Sequence, residues 1–136
     1  MEKKEFVLFQ IFFIVAALWN MIGVIFGYLN TEYTFQGLFG RELTDPLFYA
    51  IYHGAWGTTL VYFFGYFIVA KDPLRHTGIV IVGGIGKVGY AITMLKLFLA
   101  GIASSYALII IIGDFIFSVI FVVYFYRLFR LKLRIL

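Results

Sequence analysis

Four apolar segments, each about as long as a membrane span, are the feature of this sequence that most limits its fold. They cover residues 6–28, 47–70, 78–100 and 106–126, which is most of the chain. A helix that crosses the hydrocarbon core of a bilayer needs about 20 mainly apolar residues. The sequence therefore predicts an all-α integral membrane protein, with one domain over residues 1–136 arranged as a four-transmembrane-helix antiparallel bundle.

Composition points the same way. The chain is 63% hydrophobic and 13% charged, whereas a soluble domain is about half apolar and about a quarter charged. It contains no cysteine, which excludes disulfides, thiolate metal sites and thiol redox chemistry. We expect membrane lipids around the helices, and no metal, no cofactor and no nucleic-acid partner.

A glycine-rich stretch, Gly84-Ile85-Gly86-Lys87-Val88-Gly89, fits the G-x-G-x-x-G pattern of dinucleotide-binding proteins. That pattern needs a strand–turn–helix unit and an acidic residue about 20 positions further on. Ser104 stands there, and the next acid, Asp114, lies inside another apolar segment. Nucleotide binding is therefore not expected. In lipid, small residues let helix backbones approach closely, so we predict helix packing at Gly23, Gly27, Gly83 and Gly86.

The connections carry helix start and stop signals. Asp45 followed by Pro46 predicts a capped helix start, and Asp72 followed by Pro73 repeats the pattern. Gly101 is expected to end the third helix. Residues 29–45 are predicted to form a loop at the mouth of the bundle, packed by its aromatic residues or acting as a lid.

Basic residues predict the orientation. An even number of spans places both termini and the turn near residue 72 on one side. That side carries Lys3, Lys4, Lys71, Arg75, Arg127, Arg130, Lys132 and Arg134, whereas the other side carries Arg41. The positive-inside rule then places both termini in the cytoplasm. We expect a multi-pass protein of the bacterial inner (cytoplasmic) membrane.

Two charged residues inside apolar segments are the main candidates for a site. At about 1.5 Å per helical residue, Lys87 and Asp114 lie at nearly the same depth on either side of the third turn. Each alone would cost about 2.5–3.5 kcal/mol at the bilayer centre. We therefore expect an ion pair, or a neutral pair sharing a proton. It is either a functional group or a structural clamp.

Further polar and aromatic residues are expected around this pair. Asn20 and His53 would complete a polar layer with one residue from each helix, ringed by Trp19, Trp56 and Tyr90. Asn20 suits a hydrogen bond between helices. His53 is either a polar residue near the outer interface or part of a proton relay. Candidates for ligand binding or proton relay are thus Lys87, Asp114, His53, Asn20, Trp56 and Tyr90.

These residues support two main hypotheses. The first is a binding protein or carrier for a lipophilic or weakly polar small molecule that engages Lys87 and Asp114. The alternative is a non-catalytic accessory or assembly subunit, in a homodimer or a larger membrane complex, that packs through its glycines. An enzyme would need His53 or Asp114 as a base beside an open cavity, and no catalytic residue is assigned. A cavity reaching Lys87 would favour the first hypothesis, and a closed pair beside an exposed glycine groove the second.

Overall fold

The computed structural model describes residues 1–131, which form helices joined by turns. The helices are α1 (Lys3–Gly23), continued by a π-helical turn (Val24–Tyr28), then α2 (Thr31–Phe39), α3 (Pro46–Lys71), α4 (Thr77–Leu99) and α5 (Ala107–Arg130). The all-helical class predicted from the apolar segments is confirmed for this part of the chain. The basic residues Lys132 and Arg134 lie outside the described residues.

Long apolar helices indicate a membrane protein. Within residues 1–131, three helical segments are long and apolar enough to cross a bilayer: Lys3–Tyr28, Thr77–Leu99 and Ala107–Arg130. Large apolar side chains on their outer faces, such as Leu8, Ile85 and Val122, are mostly exposed. Soluble proteins rarely expose extensive apolar surface, whereas lipid is a favourable surrounding for it.

The long helices pack antiparallel around an aromatic core. α1 lies against α3, α4 lies against α5, and α3 also contacts α4. Phe13 of α1 stacks on Tyr66 of α3 and Phe121 of α5, with ring centroids 6.4 and 5.9 Å apart. Its ring also meets Tyr124 edge-on at 5.3 Å. One core therefore joins α1, α3 and α5, at the end of the helices where both described termini lie.

Close approach of α1 and α3 depends on two glycines. The Trp56 ring lies directly against Gly27, so a methyl group there would overlap the indole. A methyl group at Gly23 would lie 3.2 Å from the same ring. The backbone is π-helical at this level, and the Leu29 N–H donates to the Val24 carbonyl at 2.9 Å. Gly23 and Gly27 thus lie at a helix contact, as small residues in membrane helices often do.

The connection between α1 and α3 is a helix rather than the expected loop. α2 starts after Asn30 and ends at Gly40, which has a left-handed φ of 65°. Its aromatic side reaches α3, because Phe35 meets the Tyr52 ring edge-on at 5.0 Å. The predicted packing by aromatic residues is therefore present. The prediction of a loop was wrong because the short apolar face of α2 gains a helical partner in α3.

The turns follow two of the three predicted signals. Asp45 caps α3, and its Oδ1 accepts from the N–H groups of Leu47 (2.8 Å) and Phe48 (3.0 Å). Gly101 follows α4 with φ 72°. Asp72-Pro73, however, forms a turn in which Asp72 accepts from the Leu74 N–H at 3.1 Å. α4 begins later, at Thr77, one residue from the predicted start at residue 78, so the Asp72-Pro73 pattern lies before the helix but does not cap it.

Candidate functional site

Lys87 of α4 and Asp114 of α5 form an ion pair inside the protein. The Lys87 Nζ lies 2.8 Å from the Asp114 Oδ1. Both side chains are only 9% exposed. Their helices are joined by the short turn at Gly101, which brings residues at matching distances from the turn to the same level. The two residues that the sequence places at one depth are therefore partners.

α1 supplies one neutral partner to each charge. The Lys87 ammonium also donates to the Asn20 Oδ1 at 3.1 Å, and the Trp19 Nε1 donates to the Asp114 Oδ1 at 3.1 Å. Trp19 reaches the carboxylate because its ring lies against Gly113, where a methyl group would overlap it. Neighbouring residues of α1 thus contact opposite members of the pair.

The network extends to α3 through a backbone group. The Asn20 Nδ2 donates to the Thr59 carbonyl at 3.4 Å, which orients the Asn20 amide oxygen towards Lys87. The ammonium also lies 5.3 Å from the ring centre of Phe117. All four long helices are therefore linked at this level. Breaking such a link in lipid is costly, since a charge that loses its partner has no water to replace it.

His53 lies outside the polar layer, contrary to the expected arrangement of one polar residue from each helix. It stacks between Tyr28 and Tyr49, with ring centroids 4.2 and 5.5 Å away. It precedes Thr59 by about one and a half helical turns, or roughly 9 Å of rise. α3 instead contributes the Thr59 carbonyl, which sequence patterns do not reveal because every residue has one.

Trp56 and Tyr90 lie on the same side of the pair as His53. Their rings meet edge-on with centroids 6.2 Å apart, and Tyr52 meets Trp56 in the same way at 6.3 Å. Tyr90 follows Lys87 by one helical turn, so the predicted shared face is present. Trp56 and Tyr90 thus form an aromatic layer beside the ion pair. The side chains that hydrogen-bond to the pair itself are Trp19 and Asn20.

The four glycines named as packing positions occupy different surroundings. Gly23 and Gly27 contact α3. Gly83 contacts Tyr66, and a methyl group there would overlap the Tyr66 hydroxyl oxygen. Gly86 is exposed, with open space where a side chain would begin. Gly86 therefore makes no helix-packing contact within residues 1–131. That it packs against a second molecule stays a prediction.

An apolar groove runs along the outer surface between α4 and α5. Its volume is about 700 Å³. Gly84 and Gly89 form part of its α4 side, and Val119 and Val122 part of its α5 side. Ser118 also lines the groove, but its hydroxyl donates to the Asp114 carbonyl at 2.7 Å. The groove thus lies one helical turn from the ion pair and presents an almost wholly apolar surface.

Sequence reasoning missed the importance of Tyr66. This residue is fully buried and lies near the pair, with its ring centre 5.9 Å from the Lys87 Nζ. A tyrosine in an apolar segment gives no signal of its own, because its position around the helix decides whether it faces lipid or the core. Trp19 was expected only as a neighbour, yet it is a hydrogen-bond donor to Asp114.

Comparisons with known proteins identify no relative: no family model matches the sequence, and no curated protein or solved structure matches it significantly. Within residues 1–131, no group of three acidic, histidine or cysteine side chains is placed to hold a metal ion. The site is therefore defined by its own geometry, as a buried and hydrogen-bonded ion pair beside an apolar groove.

Proposed function

We propose that the protein is a four-span membrane protein that serves as a non-catalytic assembly subunit. It would pack against a transmembrane helix of a partner protein through the groove between α4 and α5. Both termini would lie in the cytoplasm, and the bacterial inner membrane would be its location. α3 would be the fourth span, which is supported by its 26-residue length and its antiparallel packing along α1.

The observation that carries this proposal is the contrast between the ion pair and the groove. Lys87 and Asp114 are buried, and each has a neutral hydrogen-bond partner from α1. The groove is open on the outer surface and lined in part by glycine. A carrier that used the pair would need a cavity reaching Lys87. A closed pair suits a clamp that holds the helices in register, and the groove offers an open apolar surface to another molecule.

Helix association in lipid supports a helix as the occupant. Lipid chains are as apolar as leucine, so helices associate there through close packing and hydrogen bonds rather than through the hydrophobic effect. Glycine lets a second backbone approach closely. Gly89 on the groove, and Gly86 beside it, have open space where a side chain would begin, so a partner helix could approach α4 closely there.

Photo-crosslinking in native membranes tests the proposal. A photoreactive phenylalanine at Val88, which lines the groove, should give a protein adduct of defined mass. Gly89→Leu should abolish that adduct by filling the groove without a clash inside the chain. Gly78→Leu is the matched control, because Gly78 is also unobstructed but does not line the groove. Crosslinks to lipid alone, or an adduct unaffected by Gly89→Leu, would refute a helix partner in the groove.

A binding protein or carrier for a lipophilic ligand is the second candidate. The groove volume falls within the range of about 300–1,000 Å³ typical of small-molecule sites, and its lining is almost entirely apolar. Such a ligand would lie in the groove one turn from Asp114 rather than on the ion pair itself. A lipophilic probe that raises the melting temperature of the wild type but not of Gly89→Leu would support this candidate.

A further inference from the structure

The Tyr66 hydroxyl is a buried polar group with an unusual environment. The side chain is fully buried, and its hydroxyl has no hydrogen-bond partner among residues 1–131. The large majority of buried side-chain polar atoms in proteins are paired with protein or with ordered water. Leaving one unpaired costs about 1–3 kcal/mol. The cost would be avoided if the hydroxyl bonded to a molecule outside the chain.

The Lys87 ammonium group has an N–H donor that could pair with the same molecule. An ammonium group has three N–H donors. Two of them are directed to oxygen atoms, the Asn20 Oδ1 and the Asp114 Oδ1. The same nitrogen lies 5.9 Å from the centre of the Tyr66 ring. A small oxygen atom between the two residues could accept from the remaining ammonium donor and bond to the Tyr66 hydroxyl.

Gly83 makes room for that hydroxyl. It precedes Lys87 by one turn of α4, and a methyl group there would overlap the Tyr66 oxygen. A side chain at position 83 would therefore displace the hydroxyl from the neighbourhood of the ammonium. A buried water needs two to four polar partners, and Tyr66 and Lys87 supply the first two.

We propose that Tyr66 and Lys87 together bind a buried water molecule. This molecule would be the third oxygen around the ammonium, after Asp114 and Asn20. All three N–H donors would then be satisfied at the centre of the protein. The site is independent of the groove and goes beyond the proposed assembly role.

The direction in which one substitution changes the melting temperature tests the site. Tyr66→Phe removes only the hydroxyl. If the hydroxyl is unpaired, its loss should leave the melting temperature unchanged or raise it, and if it holds an oxygen-bearing molecule, the melting temperature should fall. Tyr124→Phe calibrates the loss of a bonded hydroxyl, since Tyr124 donates to the Pro73 carbonyl. Tyr33→Phe is the neutral control, because Tyr33 is 73% exposed. We expect Tyr66→Phe to resemble Tyr124→Phe.

Hydroxyl-radical footprinting in H₂¹⁸O separates a bound water from a bond within the chain. A water at the site should place ¹⁸O on Tyr66 and on the neighbouring Phe117, although both are buried. The Phe117 label should fall in Tyr66→Phe. An unchanged or raised melting temperature, or a loss without the label, would overturn the proposal.

Discussion

Separating Lys87 from Asp114 is the strongest test of how the helices are held together. Lys87→Met leaves a carboxylate whose remaining donor is the Trp19 indole. Asp114→Asn leaves an ammonium whose nearest acceptors are neutral amide oxygens. Breaking a buried pair by removing one member typically costs about 3–5 kcal/mol. We expect Lys87→Met to lower the free energy of unfolding by that amount. Asp114→Asn should lower it by an amount near the lower end of this range.

The double variant should recover most of this loss. It contains no buried charge, and the amide oxygen introduced at position 114 could still accept from Trp19. Replacing both members of a buried pair is often nearly neutral. The coupling free energy in the double-mutant cycle should therefore be at least about 3 kcal/mol, at or above the upper end of the range for residues in contact. The free energy of unfolding of each variant is measured by adding increasing SDS to the protein in mild detergent and monitoring tryptophan fluorescence.

Lys96→Met is the matched control for the cycle. Lys96 lies on the same helix but is exposed near its end, so its substitution should change stability by no more than about 0.5 kcal/mol. Additive losses from Lys87→Met and Asp114→Asn would refute the reasoning, because residues that do not interact contribute independently. A control loss as large as that of Lys87→Met would show that the lysine stem, rather than its charge, matters.

Two other predictions concern the glycines and the topology. Gly27→Ala should destabilise the protein by about 1–3 kcal/mol, because its methyl group would collide with Trp56. Gly86→Ala should be neutral or stabilising by up to about 1 kcal/mol. Equal effects of the two substitutions in the same unfolding assay would contradict the α1–α3 contact. A cysteine that replaces Arg41 should react with an impermeant thiol reagent only from outside the cytoplasm, and one that replaces Arg75 only from within. The chain has no cysteine of its own to give background labelling. Labelling of position 41 from the cytoplasmic face would disprove the proposed orientation.

The positions of residues along the helix axes could be predicted from the sequence. Rise per residue is nearly constant in a helix, so counting from a turn gives depth. Lys87 and Asp114 lie on either side of the turn at Gly101, and their pairing follows from their similar distances from it. The same argument places Asn20 near them. The start of α3 at Asp45 and the stop of α4 at Gly101 are local signals, because a cap or a left-handed glycine acts on its immediate neighbours.

The direction in which each side chain faces was decided only by the tertiary structure. In water, a polar outer face and an apolar inner face reveal the rotation of a helix about its axis. In lipid, both faces are apolar, so this signal is weak. Tyr66 faces the core and His53 lies outside the polar layer, although both are polar aromatic residues of α3. Gly83 packs while Gly86 faces outwards for the same reason: contacts with the neighbouring helices fix the rotation, and sequence spacing determines only which residues share a face.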